Sequence, residues 1–391
     1  MVRAADAPFV LLVESQREPE LERALLFEAP LRVICCRRSS DVPGCLSLAE
    51  AAVQQGCYVA GFLAYEAGYG LQPKLNRFAS RAPSEHLVWL GVFERLQELR
   101  GRALAAFLAE HGAARSASLS PLRFQLDRAQ YRRDFEKIQA HLRAGDSYQV
   151  CHSLRARFDL AGPPAALFER LRRRQVTPFS ALVDTGEYAL VSLSPELFFR
   201  KSSGTIELKP MKGTAAPGCD AGEDARIAER MRSDPKTRAE NVMIVDLLRN
   251  DVGRLAKPGS VRVPELFGVE RYDTVLQMTS TIVAEVEPEL GLGALLTSLF
   301  PSGSVTGAPK LRTMELICEL EPEPRGIFCG SLGYVTPNND ACFNVAIRSL
   351  FVNRAGQGVL GVGGGVVVDS TSDAEFDECL LKARFLSDAA G

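Results

Sequence analysis

Apolar and polar positions change period repeatedly along this chain, and most apolar runs are short. Residues 8–13 and 31–36 read as brief strands, and Tyr58–Tyr65 and His86–Glu94 as further ones. Helical spacing is predicted over Glu18–Phe27, over Ser47–Gln55 up to Gly56, and over Leu96–His111. Gly112 to Pro121 is rich in Ala and Ser and marks the best boundary, between an N-terminal region, 1–120, and a larger region, 121–391. Beyond it, Asp127 suits a helix N-cap, Tyr131, Phe135, Ile138 and Leu142 share one face, and Gly145 stops the helix.

Tyr148–Phe158 alternates like a strand, Ala165–Arg174 is a basic helix, and strands follow near Ser180–Asp184, Tyr188–Leu193 and Leu197–Lys201. Short strands this close together favour antiparallel pairing over a doubly wound parallel sheet. Asp234-Pro235 opens a helix through Asp251 that is apolar nearly all round, so the sequence predicts that it is largely buried. Polar residues on a buried helix need partners, which singles out Glu240, Asp246, Arg249, Asn250 and Asp251. An internal salt-bridge network is one reading of them. The last third reads as strands Gly330–Thr336, Cys342–Phe351 and Gln357–Gly361, then a helix whose Ser372 and Glu375 have capping-box spacing.

Composition narrows the functional classes. The 391 residues carry a net charge of −2, and the arginines between 132 and 174 are broken up by acidic neighbours, so no nucleic-acid groove is indicated. Ten cysteines at irregular spacings without Cys-x-x-Cys, and four scattered histidines, argue against zinc and for reduced thiols. The apolar run Phe9 to Val13 is too short for a signal-peptide core or a bilayer. A soluble, cytoplasmic protein without membrane contact is expected.

Several stretches suit chemistry. Lys209-Pro210-Met211-Lys212-Gly213-Thr214 sets a lysine between proline and glycine after the strand-like Thr205–Leu208. A lysine attacks only as the free amine, so its surroundings would have to favour the neutral form; a solvated surface turn is the other reading. Pro301 to Lys310 is a Gly/Ser/Thr loop feeding a helix near Pro309, suited to an anionic group. A P-loop is excluded, because Leu311 follows Lys310. Gly363-Gly364-Gly365 removes every side chain, so a ligand can approach the backbone. Glu375, Glu378 and Lys382 fall on one helix face, where capping and a Glu378–Lys382 pair are also open.

Taken together these motifs resemble one family. Ser194-Pro195-Glu196, Pro210 to Thr214, Glu240 to Arg254, Gly303 to Lys310, Ile347-Arg348-Ser349, Gly363 to Gly365 and Glu375 to Lys382 are similar, in order, to the chorismate-utilising enzymes of the anthranilate and aminodeoxychorismate synthase group. Gly145 to Val150, Gly61–Gly70 and Leu11–Ser15 extend the likeness over nearly the whole chain. The resemblance implies an α/β (α+β) fold, a large sandwich of two antiparallel sheets with outer helices and the site between the sheets. It also implies magnesium on Glu240 and Glu378 with Glu375 in support, Arg348 gripping a substrate carboxylate, and Ser304, Thr214, Gly363, Gly365 and Gln149 around the substrate.

Two positions choose among members. Isochorismate and salicylate synthases carry a lysine at Gln149, and a glutamine cannot activate water as a base. Lys212 stands where anthranilate synthases resemble Pro-Ile-Ala-Gly-Thr, as in the aminodeoxychorismate synthases. The resemblance then implies a covalent Lys212 adduct with chorismate, and Glu196 donating a proton to the departing hydroxyl. Glu196 as a core-facing salt-bridge partner is the alternative. Gln277, Phe328, Thr237 and Cys151 depart from the family pattern; Cys151 replaces a common asparagine. No Gly-x-Cys-x-Gly glutaminase elbow is present, so ammonia is expected from a separate glutamine amidotransferase subunit (component II) or from solution. An aminodeoxychorismate lyase would act next. The rival readings are anthranilate synthase component I and a silent subunit that binds chorismate or tryptophan.

Overall fold

Strands pair antiparallel throughout the computed structural model, which describes residues 7–15, 22–81, 83, 85–272 and 275–388. They build two sheets, of 11 and 10 strands. The first runs Gly307–Ala308, Gln149–Ala161, Gln357–Val366, Ser349–Asn353, Tyr188–Ser194, Phe179–Asp184, Phe9–Glu14, Arg23–Glu28, Gln97–Leu99, with Ser118–Leu119 and Arg123–Phe124 also pairing with Gln149–Ala161. The second runs Met211–Ala215, Leu276–Glu285, Thr205–Lys209, Leu197–Ser202, Ala341–Asn344, Ser331–Val335, Tyr58–Leu63, Val88–Phe93, Arg32–Cys36, with Arg262–Arg271 on the far side of Leu276–Glu285. Strands from both ends of the chain therefore share both sheets. The fold is the expected sandwich.

Alternation explains the layers. In Arg23–Glu28, Leu25 and Phe27 join a cluster with Phe62, Trp89, Phe93 and Leu190, drawn from both sheets, while Ala24 and Leu26 join the larger cluster shared with the helices. A strand buried on both faces has no polar side to reveal its period, which is why this stretch reads as helix in the sequence. It pairs instead with Phe9–Glu14, Leu26 opposite Leu11; residues 18–21 of the expected helix lie outside the described residues. The expected helix Leu96–His111 likewise begins with the strand Gln97–Leu99 and becomes helical only at Gly101–Glu110.

Three other expectations change. Helix Pro235–Gly253 buries one stripe (Asn241, Ile244, Val245, Leu248, Asp251, Val252), while Asp246 and Arg249 pair in solvent at 3.0 Å. The predicted strand Cys342–Phe351 is two strands in different sheets, Ala341–Asn344 and Ser349–Asn353, with the chain crossing between them. The capping box does not form: Thr371 is the N-cap, and Glu375 accepts from the Ser370 hydroxyl at 2.7 Å.

One buried ion pair ties several segments together. Arg325 donates to Glu321 through Nε (3.0 Å) and Nη2 (2.6 Å), to the Cys151 carbonyl (2.8 Å) and to the Val305 carbonyl (2.8 Å). Glu321 also accepts from the Ser153 amide and hydroxyl, and Glu66 accepts from the amides of Arg325 (2.6 Å) and Gly326 (3.0 Å). Removing one partner leaves an uncompensated buried charge. Arg325→Met is expected to destabilise the fold by about 3–5 kcal/mol in urea unfolding; a loss below about 1 kcal/mol, the range of an exposed pair, would contradict this.

Candidate active site

The chain crosses from one sheet to the other at Ser194-Pro195-Glu196 and again at Val345 to Arg348. These crossings lie side by side, joined by Val345 N–H to the Glu196 carbonyl (3.0 Å) and Leu193 N–H to the Arg348 carbonyl (3.1 Å). Glu196 and Arg348 are thereby fixed at the seam between the sheets. Arg348 adopts φ +51°, a left-handed backbone that a side-chain-bearing residue takes only when its surroundings hold it there. Burial disfavours the charge on its guanidinium, with the Tyr272 phenol acting the other way. Among the described residues it has no carboxylate partner, so its fork remains able to take an anion.

Glu196 is buried, and burial pushes its carboxyl up to about 7 against the pull of the Ser304 hydroxyl and the Lys212 charge; Cys151 pushes it further up. Ser304 sits in the Gly303–Val305 turn, its hydroxyl 2.9 Å from that of Ser302. That loop is held from three sides: Thr306 O accepts from Cys151 N–H (2.8 Å), Val305 O from Arg325, and Ala308 O from Tyr148 N–H (2.7 Å). Lys310, buried, pairs with Asp251 at 2.5 Å and donates to the Leu299 carbonyl at 2.6 Å. The internal salt bridge anticipated for Asp251 is thus present.

Lys212 lies on Met211–Ala215 of the second sheet and reaches across to the glycine strand of the first. A Cβ placed on Gly365 would lie 2.8 Å from Lys212 Nζ and 3.0 Å from Gln149 Cδ. Gln149 is fully buried, and among the described residues neither amide atom has a partner. A buried amide without hydrogen bonds is costly, and one facing a side-chain-free strand marks a place for a polar ligand. Lys209 is paired with Glu270, so it is not a competing amine. Gly213 has φ +92°, and a Cβ there would strike Thr237 Cγ2 at 2.4 Å. Gln277 clamps this corner, donating to the Gly213 carbonyl (2.8 Å) and accepting from the Thr214 hydroxyl (2.9 Å). Thr214 is exposed and engaged there, outside the Lys212–Glu196–Gln149 group.

Across the same glycine strand lie the carboxylates. A Cβ on Gly364 would meet Glu375 Oε2 at 2.8 Å and Glu378 Oε1 at 3.9 Å. Successive residues face opposite sides of a strand, so Gly364 abuts the carboxylates and Gly365 the lysine. A Cβ on Gly363 would collide with the His152 carbonyl at 2.5 Å, so that glycine is needed for strand pairing itself. Desolvation opposes the charge on Glu378, but Lys382 at 2.6 Å, then Lys212 and Lys236, hold its carboxyl below the usual range. Burial pushes Glu375 up, the Ser370 hydroxyl pulls it back, and the Glu378 charge pushes it up again. Glu240 lies one turn after Lys236, whose Nζ is 4.0 Å from its Oε1 and whose charge also acts on Glu375 and Glu378. The three do not close into a compact metal-ligating cluster among the described residues.

Residues 13–388 match the family model for chorismate binding enzyme. The chain belongs to this family. It is 44% identical over 274 residues to aminodeoxychorismate synthase component 1 of Klebsiella aerogenes, covering 70% of this chain and 60% of that protein. Identity to the Escherichia coli (strain K12) protein of the same name is 42% over 259 residues, covering 66% and 57%. Anthranilate synthase component 1 of Cereibacter sphaeroides is 40% identical over 275 residues, covering 70% and 55%. The chain thus spans less than two thirds of the length of these curated relatives. Among solved structures, an isochorismate synthase from Bacillus anthracis aligns at TM-score 0.77 with 20% identity, covering 98% of this chain and 96% of that one. Anthranilate synthase component I from Streptococcus pneumoniae aligns at 0.76 with 23%, covering 97% and 92%. These two share the fold.

Within that family fold, sequence reasoning missed the Arg325–Glu321–Glu66 network and the Gln277 clamp. The i, i+4 spacing of Glu321 and Arg325 was its only trace in the sequence. It also missed Tyr272, whose phenol donates to Glu270 (2.8 Å) and lines a cavity of about 330 Å³ with Ser15, Pro195, Lys209 and Met211.

Three outcomes follow from this geometry. Glu66 and Glu196 both sit near 7 instead of the usual 4.5, so the folded state holds their protons more tightly than the unfolded chain. The stability each contributes is full below 4.5 and lost as pH rises through about 7. A proton donor at Glu196 also acts only while protonated, so kcat/KM should fall as pH rises through about 7. In Glu196→Gln that limb should vanish, with a rate loss of about 10²–10⁴; an unchanged limb would exclude Glu196. Gly365→Ala should displace Lys212 and cut kcat about a hundredfold while the thermal midpoint barely moves; normal turnover would contradict the placement.

Proposed function

We propose that this chain is the chorismate-converting component of an aminodeoxychorismate synthase, forming 4-amino-4-deoxychorismate from chorismate and ammonia through a covalent adduct on Lys212. The observation that carries this reading is the position of Lys212, its amine against the glycine strand at Gly365, beside the unpartnered amide of Gln149. The similarity to proteins named aminodeoxychorismate synthase component 1 supports it.

In this mechanism Arg348 takes one substrate carboxylate bidentately, and Ser304 and the amides of Gly363 and Gly365 complete the anion cradle. Lys212 attacks C2, the double bonds shift, and the C4 hydroxyl leaves as water with the proton of Glu196. Ammonia then adds at C4 and expels the lysine from C2, and Glu196 is reprotonated. Two allylic displacements put the amine on the carbon that lost oxygen. Gln149 holds the substrate without activating water.

Glu240, Glu375 and Glu378 offer an all-oxygen donor set, and Gly364 leaves open the space a Cβ would fill 2.8 Å from Glu375 Oε2. That fits magnesium, a hard cation that prefers carboxylates and retained water. When bound, it would draw electron density from the ring carboxylate as a Lewis acid. A separate glutamine amidotransferase would supply ammonia and an aminodeoxychorismate lyase would consume the product, in the cytoplasm. Among the described residues no helix is long and apolar enough to cross a membrane.

The test is incubation of the full chain with chorismate, magnesium and an ammonium salt. Aminodeoxychorismate is the expected product; anthranilate, or no turnover by folded protein, would contradict the proposal. Lys212→Ala should lower the rate by about three orders of magnitude, and an unchanged rate would remove the covalent route.

A further inference from the structure

The strand that carries Lys212 does not pair regularly. Met211 stands opposite Thr279 and Thr214 opposite Gln277, so Lys212 and Gly213 together face the single residue Met278. Two residues against one make a β-bulge, which bends the strand and can re-aim a side chain. In an unbroken ladder Lys212 would stand opposite Met278 and share its face of the sheet. That face is apolar: Leu276 and Met278 pack there with Ile227 and Met231. The bulge releases Lys212 from this cluster, and its amine reaches Gly365 on the other sheet.

A bulge disrupts the ladder locally, so other contacts must hold its backbone in place. Gly213 supplies the conformation, at φ +92°, and packs so close to Thr237 that a Cβ would meet Cγ2 at 2.4 Å. Gln277 supplies the hydrogen bonds. Its Nε2 donates to the Gly213 carbonyl at 2.8 Å, and its Oε1 accepts from the Thr214 hydroxyl at 2.9 Å. The second bond fixes which end of the amide faces the bulge. Gln277 sits on the middle strand of three, opposite Thr214 on one side and Glu270 on the other. Both ends of its amide are thus engaged by the two residues that follow Lys212.

We propose that Gln277 is a positioning residue for the reaction: its amide locks the bulge that turns Lys212 out of the apolar face and holds the amine at the substrate. This deepens, and rests on, the reading of Lys212 as the nucleophile. Gln277 acts through the Gly213 carbonyl and the Thr214 hydroxyl. Its loss therefore changes where the amine sits and leaves the groups that hold the substrate, such as Arg348, in place. A nucleophile displaced by about 1 Å loses about a hundredfold in rate.

The test compares the full chain with Gln277→Leu, an apolar side chain of similar size that makes neither hydrogen bond. With chorismate, magnesium and an ammonium salt, kcat should fall about a hundredfold while KM stays within about twofold. The position of the amine is read separately, by isotope-labelled reductive methylation of the lysines and NMR. The Lys212 signal is assigned by its absence from Lys212→Arg. In Gln277→Leu it should move towards the signals of exposed lysines such as Lys137. Thr214→Val removes only the hydroxyl that orients the amide, and it serves where Gln277→Leu does not fold. Its kcat should fall about fivefold, and Thr214→Ser, which keeps the hydroxyl, should lose less. Unchanged kcat, a raised KM with kcat kept, or a lower kcat with the Lys212 signal unmoved would each overturn the proposal. The kinetic arm depends on the nucleophile reading, whereas the NMR arm does not. A wild-type chain that never consumes chorismate would fail that reading alone, and the Lys212 signal would still decide the position.

Discussion

The buried pair of Arg325 and Glu321 is the constraint on which the site geometry depends. A guanidinium and a carboxylate removed from water lose several kcal/mol of hydration each, so both are tolerated only when their hydrogen bonds are met. Arg325 meets its needs by reaching three separate segments: Glu321, the Cys151 carbonyl on one strand and the Val305 carbonyl in the serine loop. Glu321 adds the Ser153 amide and hydroxyl. The same bonds that make the charges tolerable therefore set the distance between the strand carrying Gln149 and the loop carrying Ser304. Glu196 is held at the adjoining seam by the Val345 amide on its carbonyl, and the Ser304 hydroxyl acts on its carboxyl from that loop.

Onto this frame the glycine strand maps two chemistries. Because side chains alternate along a strand, removing them at 363–365 opens both faces at once. The Gly365 side admits Lys212 from the opposing sheet, and the Gly364 side admits Glu375 and Glu378 from the last helix. A single residue with a Cβ at either position would push one group out. The proposed nucleophile and the carboxylates proposed to hold magnesium are thus brought to one backbone from opposite directions.

Much of this was legible in the sequence, for reasons that can be named. Turn and glycine chemistry is local, so the Lys212 corner, the Ser304 loop and Gly363 to Gly365 could be read directly; antiparallel pairing followed from the strand spacing, and the two-sheet sandwich from the family resemblance. Contacts distant in sequence could not be read: nothing local links Arg325 to Val305 or Gln277 to Gly213. Burial on both faces hid the strand Arg23–Glu28, and the crossing at Val345 to Arg348 looked like one continuous strand. Asp246 and Arg249 erred the other way, their apolar neighbours suggesting burial where the helix turns them to solvent.

The proposed chemistry stands or falls on whether Lys212 becomes bonded to the substrate. The most direct measurement is to mix the full chain with chorismate and magnesium without ammonia, quench in acid, and map the modified peptide. The mechanism above predicts a mass increase on Lys212 equal to chorismate less one water, released when ammonia is added before the quench. Unmodified Lys212 in protein that forms aminodeoxychorismate once ammonia is supplied would contradict it.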